Sequence, residues 1–290
     1  MNARRDLERL LGALPRGSAA IRAQEDRWQV PTYAKADVAL VEGRGSRAVD
    51  AEGRLYLDLY GGHAVALLGH GHPRLVGAIR AQADRLLFYS NAVYSDIRAL
   101  AVERLATLAP EPLRRVFLCN SGAEANETAL KIARKRTQRP RIVSMREGFH
   151  GRTLGALSAT GMEAYRDPAY PLAHGHDFVP FGDAAALEAV LADDVAAVLL
   201  EPIPSMGGVL TAPDAYFRQV RELCDRHDSL LLFDEVQTGF GRTGRLFYGE
   251  HAGVTPDLIT GAKGMAGGFP AGCVFVREDL AAAVLPGEQG

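Results

Sequence analysis

From about residue 75 onward, short runs that are apolar at nearly every position alternate with stretches whose apolar residues recur at three- and four-residue spacing. The runs at 115–119, 141–145, 195–200, 230–233, 258–260 and 273–276 predict strands. A strand without polar alternation is buried on both faces, so these belong inside a sheet covered above and below. Helical periodicity falls between most of them, over 76–87, 97–108, 124–136, 183–191 and 213–226. Strand–helix alternation of this kind predicts an α/β fold with a mostly parallel sheet, and ligands of such sheets gather at the C-terminal strand ends. Upstream the pattern differs. Residues 1–28 read as a polar helical lead-in, and 37–60 alternate as strands do, with Asp50-Ala-Glu-Gly53 as a turn.

Composition narrows the field of functions. Hydrophobic residues make up 47% and charged residues 23% of 290, ordinary for a globular protein with a sizeable core. A formal charge of −2 gives no basic field to attract nucleic acid or an acidic membrane. No apolar run of about 18 residues predicts a membrane span, and the charged N-terminus lacks the apolar centre of a signal peptide. Cys119, Cys224 and Cys273 are widely spaced in apolar contexts, which predicts buried free thiols in a reducing cytoplasm rather than disulfides or a metal site. His70-Gly-His72 lacks a supporting carboxylate pattern and reads as a turn, so no metal is expected.

Candidate chemistry sits where the predicted strands end. Lys263 stands alone as a charge in the small and apolar run Leu258-Ile-Thr-Gly-Ala-Lys-Gly-Met-Ala-Gly-Gly-Phe-Pro270. Lost hydration lowers a lysine's pKa and makes it a nucleophile toward an aldehyde; a snorkelling surface lysine is the competing reading. Asp234 closes Leu230-Leu-Leu-Phe-Asp234, where a carboxylate can hold a proton on a heteroaromatic nitrogen. Ser121, Gly122 and Ala123 form a small-residue turn from strand into helix, suited to a phosphate at the helix N-terminus. Ser121 with Glu124 reads equally as an N-terminal capping box. Phe149 can stack on a flat ring and Arg152 can grip a carboxylate, or they are a core phenylalanine and a surface arginine. Glu201 follows six apolar residues, as a structural partner or a site acid.

Taken in order, Asn120-Ser-Gly-Ala-Glu-Ala-Asn-Glu127, Phe149-His-Gly-Arg152, Glu201-Pro-Ile203, Phe233-Asp-Glu-Val-Gln-Thr-Gly-Phe-Gly-Arg-Thr-Gly244, and Ala262-Lys-Gly264 with Gly267-Gly-Phe-Pro270 resemble the class III aminotransferases over residues 30–290. Within that class the likeness is greatest to the acetylornithine aminotransferases. The resemblance implies a fold-type I large domain with an N-terminal segment of the small domain, divided here as 1–75 and 76–290. It implies pyridoxal 5'-phosphate (PLP) as cofactor, an amino donor and a 2-oxo acid as partners, and a homodimer. Residue by residue, Lys263 is implied as the cofactor-bearing lysine and Asp234 as the partner of the pyridine nitrogen. Gln237 is implied to reach the ring hydroxyl, Val236 and Phe149 to sandwich the ring, and Ser121, Gly122 and Ala123 to hold the phosphate. Arg152 is implied to receive the substrate α-carboxylate, and Glu201 to pair with an arginine near the family's C-terminus.

The chain departs from the family pattern at Glu201-Pro-Ile-Pro-Ser-Met-Gly-Gly208, where the family usually carries Gln-Gly-Glu after Glu-Pro-Ile. It also stops at Gly290, short of the family's C-terminal small domain. The expectation is therefore transamination of the ω-amine of N-acetylornithine or a related N-acyl ω-amino acid with 2-oxoglutarate, impaired by the absent domain. The competing expectations are a shortened PLP-binding chain with little activity, or another class III reaction such as ornithine or ω-amine transamination or an aminomutase reaction.

Overall fold

The structure, a computed structural model, describes residues 10–289. Of the helical lead-in expected over 1–28, residues 1–9 lie outside the described residues, and Ser18–Trp28 forms helix α1. The chain divides into two compact units, Met1–Leu87 and Phe88–Gly290.

In the first unit, strands β1 (Leu40–Arg44), β2 (Arg47–Asp50) and β3 (Leu55–Leu57) make an antiparallel sheet in sequence order, followed by helix α2 (Pro73–Arg85). The turn expected after Asp50 is held by that residue's carboxylate. It accepts from the N–H groups of Glu52 and Arg54 at 3.0 and 2.8 Å and from the Tyr56 hydroxyl at 2.8 Å. His70 is likewise tied into a turn: Nε2 lies 2.7 Å from Asp58 Oδ2, and its backbone bridges to Gly45.

The second unit contains helix α3 (Asp96–Leu108), strand β4 (Arg115–Cys119), helix α4 (Gly122–Thr137), strand β5 (Arg141–Met145) and the short helix α5 (Leu154–Ala159). Strand β6 (His176–Val179), helix α6 (Ala184–Val190), strand β7 (Val195–Leu200), helix α7 (Asp214–Arg226), and strands β8 (Leu230–Asp234), β9 (Leu258–Gly261) and β10 (Gly272–Val276) follow, with short helical turns between some of them. The seven strands lie in the order β4-β10-β9-β8-β7-β5-β6. All neighbours from β9 to β6 are parallel, and β10 runs antiparallel to both β9 and β4. This is the mostly parallel, helix-covered sheet the apolar runs predict. Strand β6 escaped that pattern because it is an edge strand with polar residues His176 and Asp177, and only Val179 is fully buried.

The continuous apolarity of the inner strands now has a direct cause. Successive side chains point to opposite faces, and each face is covered. Ile142, Ala197, Leu199, Leu232, Val274 and Val276 meet the small face of α4, where Ala125, Ala129 and Ala133 are fully buried. Val143, Val198, Leu200, Leu231, Phe233 and Phe275 meet Tyr216, Phe217, Val220 and Leu223 of α7. On this second face rings lock together: Phe217 against Phe233 at 6.2 Å and Phe247 against Phe275 at 5.2 Å between centroids. Truncating Phe217 to alanine would leave a cavity in this layer at a cost of about 3–5 kcal/mol. The three cysteines are free thiols, Cys224 and Cys273 buried and Cys119 half-buried. Strands β5, β7, β8 and β9 all end on one edge of the sheet. Beyond that edge lie Arg146 to Arg152, Glu201, Val236 and Lys263.

Candidate active site

The turn between β4 and α4 caps its helix and still leaves backbone N–H groups open. Ser121 Oγ accepts from the Glu124 N–H at 3.2 Å, and Glu124 Oε2 accepts from the Asn120 N–H at 2.6 Å. Among the described residues no acceptor engages the N–H groups of Gly122 and Ala123, which open a helix of 16 residues. They form the positive end of a long helix dipole. The turn is closely walled. A Cβ on Gly122 would meet both Val236 methyl groups at 2.8 Å, and one on Gly151 would meet the Ala123 Cβ at 2.7 Å. Glycine at these positions thus brings Val236 from beyond β8, and the loop carrying Phe149 and Arg152, against the same turn.

Asp234 is buried at the end of β8 and surrounded by donors. Its Oδ2 accepts from Asn126 Nδ2 at 2.7 Å and lies 2.8 Å from His150 Nδ1, while Oδ1 accepts from the Val236 N–H at 3.1 Å. Asn126 is itself oriented by Thr260 Oγ1, which donates to Asn126 Oδ1 at 2.7 Å. His150 Nε2 is buried with no partner among the described residues. Asn126, His150 and Thr260 were not singled out from the sequence. The available signal for Asn126 was a polar residue on the otherwise apolar stripe of α4; for His150 and Thr260 only their position inside motifs pointed to them.

Lys263 begins a 3-10 turn after β9, with φ +41, a left-handed backbone that costs a non-glycine residue on the order of 1 kcal/mol or more. Its Nζ donates to Gln237 Oε1. Burial lowers the lysine's pKa from its ordinary value, against the opposing charges of Asp234 and Glu201. The snorkelling alternative therefore does not describe this side chain: it is turned into the protein toward Gln237.

Glu201 is buried at the end of β7, and its Oε1 accepts from the Phe149 N–H at 2.8 Å. Burial, then the neighbouring Asp234 charge, pushes its carboxyl well above the usual range. Phe149 packs edge-on against Tyr165, with centroids 5.3 Å apart. The exposed Arg152 lies over both rings, 4.5 Å from the Tyr165 centroid and 5.8 Å from that of Phe149. Among the described residues no carboxylate pairs with Arg152. A cleft of about 700 Å³ borders Gln237, walled also by Ile203, Ser205, Thr238, Arg242 and Tyr248. Hence residues from five separate sequence motifs stand within one unit, joined by short contacts. No group of three or more metal-ligating side chains occurs among the described residues.

A buried strand-end carboxylate, an inward lysine of lowered pKa and an open helix N-terminus are the parts an enzyme needs to hold an aromatic aldehyde phosphate. Comparison with known proteins agrees. The class III aminotransferase family model matches residues 30–290, and the chain belongs to that family. It is 46% identical over 265 residues to an acetylornithine aminotransferase of Methanopyrus kandleri, covering 91% of this chain and 68% of that protein. A succinylornithine transaminase of Salmonella paratyphi A is 43% identical over 273 residues, covering 91% of this chain and 66% of the relative. Among solved structures, the ornithine aminotransferase of Toxoplasma gondii, with PLP at partial occupancy in its active site, superposes with a TM-score of 0.92 at 32% identity, over 100% of this chain and 70% of that one. The chain is thus a fold-type I, PLP-dependent aminotransferase acting on an amino donor and a 2-oxo acid. The residues present fit that cofactor: the open N–H groups of Gly122 and Ala123 suit its phosphate, and the donor-lined Asp234 suits its ring nitrogen.

Proposed function

We propose that the chain transfers the ω-amine of an N-acylated ornithine, N-acetylornithine first among them, to 2-oxoglutarate. The observation that carries this reading is Arg152, a guanidinium held over two aromatic rings with no carboxylate partner among the described residues, on the same loop as Phe149 and beside the Ser121–Ala123 turn. Bound PLP supplies an electron-poor ring that accommodates the electron pair left when a substrate C–H bond breaks. The chain's own residues do the rest. Lys263 Nζ would tether the cofactor and move a proton at the substrate carbon; burial favours the uncharged amine that this role needs. Asp234 holds a proton on the ring nitrogen, kept in place by Asn126 and His150. Gln237, beside Lys263, would reach the ring hydroxyl, and Val236 and Phe149 would flank the ring. Ser121, Gly122 and Ala123 hold the phosphate. Glu201 orients Phe149 through its backbone N–H.

The names of the relatives, acetylornithine aminotransferase and succinylornithine transaminase, support an acylated donor. A homodimer is part of this reading. It is supported by apolar side chains left exposed along one segment, Phe88, Tyr89, Val93 and Tyr94, and light scattering checks it. The test of substrate is a donor panel of N-acetylornithine, N-succinylornithine and free ornithine, each with 2-oxoglutarate and PLP, following glutamate formation. The acylated donors are expected to exceed ornithine in kcat/KM. A preference for free ornithine, or no glutamate from any donor, would overturn the proposal.

A further inference from the structure

The loop that carries Phe149 and Arg152 is fastened to the segment that follows α5. The Gly161 N–H donates to the Gly148 carbonyl at 3.0 Å, and the His150 N–H donates to Thr160 Oγ1 at 3.0 Å. The approach is so close that a Cβ on Gly161 would fall 2.1 Å from the Met145 carbonyl oxygen. Four residues later, in the 3-10 turn Glu163–Tyr165, the chain delivers the half-buried ring of Tyr165. That ring meets Phe149 at 5.3 Å with an interplanar angle of 70°, and it holds the Arg152 guanidinium 4.5 Å from its centroid, closer than Phe149 does at 5.8 Å.

Two ways of anchoring an arginine differ in what they leave free. A carboxylate partner occupies the N–H groups and cancels the charge. An aromatic face holds the cation through its π-electrons and leaves the N–H edge and the charge available. Among the described residues Arg152 has only the second kind of anchor. We infer that Tyr165 is the positioning residue that gives this site its selectivity for donors bearing a carboxylate: it fixes the plane of Arg152 without consuming its donors, and its edge contact fixes Phe149 at the same time. This rests on the reading of Arg152 as the carboxylate receptor. It assigns the presentation of that receptor to a residue outside the motifs that mark the family.

The test uses the PLP-loaded enzyme and two donors that differ in the carboxylate alone, N-acetylornithine and N-acetylputrescine. Tyr165→Leu, or Tyr165→Met should the leucine variant not fold, is expected to raise KM for N-acetylornithine about tenfold, the range of a lost cation–π contact, with kcat little changed. Its kcat/KM for N-acetylputrescine should move far less. Tyr165→Phe keeps the ring and is expected to restore the low KM. Equal losses on both donors, or a Tyr165→Leu enzyme with the wild-type KM, would overturn the role of Tyr165. Arg152→Ala separates the two levels. If it raises KM for N-acetylornithine while Tyr165→Leu does not, the receptor stands and the inference about Tyr165 fails. If it leaves that KM unchanged, both fail.

Discussion

Two neighbouring strands, β7 and β8, end in buried acids, and the two ends are built oppositely. Asp234, closing β8, is met by Asn126, His150 and the Val236 N–H. Glu201, just past β7, has the Phe149 N–H on one oxygen, and burial drives its carboxyl upward. The two buried carboxylates thus differ in their partners, three donors around Asp234 and one at Glu201. Lys263 feels both acids, and its own pKa is lowered by burial even so. Glu235, the residue after Asp234, is a third case. It accepts from Tyr248 and Gly249 N–H groups and the Thr238 hydroxyl, yet burial still raises it to about 7.

The contrast can be attacked at each of these positions. Lys263→Ala should have the largest effect. One amine serves as tether and proton carrier, so turnover should fall by on the order of 10⁴-fold or more; residual activity near wild type in a glutamate-release assay would remove Lys263 from the centre of the site. Asp234→Asn comes next, with an expected loss of ~10²-fold or more in kcat and little change in Tm. A variant that melts far below wild type, with activity lost only in proportion, would make Asp234 a folding residue.

Glu235 tests the electrostatics apart from catalysis. Its carboxyl is raised from an ordinary 4.5 to about 7, so between those values the folded chain binds more protons than the unfolded one. Its contribution is full at low pH and is lost as pH rises toward 7, by roughly 3 kcal/mol in all. Denaturant titrations of wild type and Glu235→Gln should thus differ in slope between pH 5 and pH 8, the wild type losing more stability as pH rises. Parallel curves would mean that the three donors, not burial, govern this acid.

Glu201→Gln should be the mildest of the four. An amide oxygen can still accept the Phe149 N–H, and a carboxyl raised by burial spends more of its time neutral than an ordinary one does. Turnover should stay within about tenfold of wild type. A loss matching that of Asp234→Asn would erase the distinction between the two strand ends.

Much of this molecule was legible before any coordinates. The sheet could be read because its strands are buried on both faces, and two-sided burial writes itself as unbroken apolarity at 195–200, 230–233 and 273–276. The turn at Ser121 was legible because small residues before a helix mark a place where backbone must stay open. Lys263 and Asp234 stood out as charges at the ends of apolar runs, where an ion survives only for a purpose or with a partner. Strand β6 was not legible, since an edge strand need not be apolar. Nor were the arginine contacts legible: Arg139 donates to the His227 and Asp228 carbonyls, and Arg141 to Asp177 and Asp194.

By itself, then, the sequence determined which segments are buried, in what order the elements come, and which residues carry unusual charge. These are local properties, set by the side chain and its immediate neighbours along the chain. Only the tertiary structure decided that Asn126 would face Asp234 across 108 positions, that Thr260 would turn Asn126, that Glu201 would seize the amide of Phe149, and that Tyr165 would lie under Arg152. Such contacts join residues far apart in sequence, and their geometry is fixed by how helices close over a twisted sheet. A single chain read along its length carries no record of that closure.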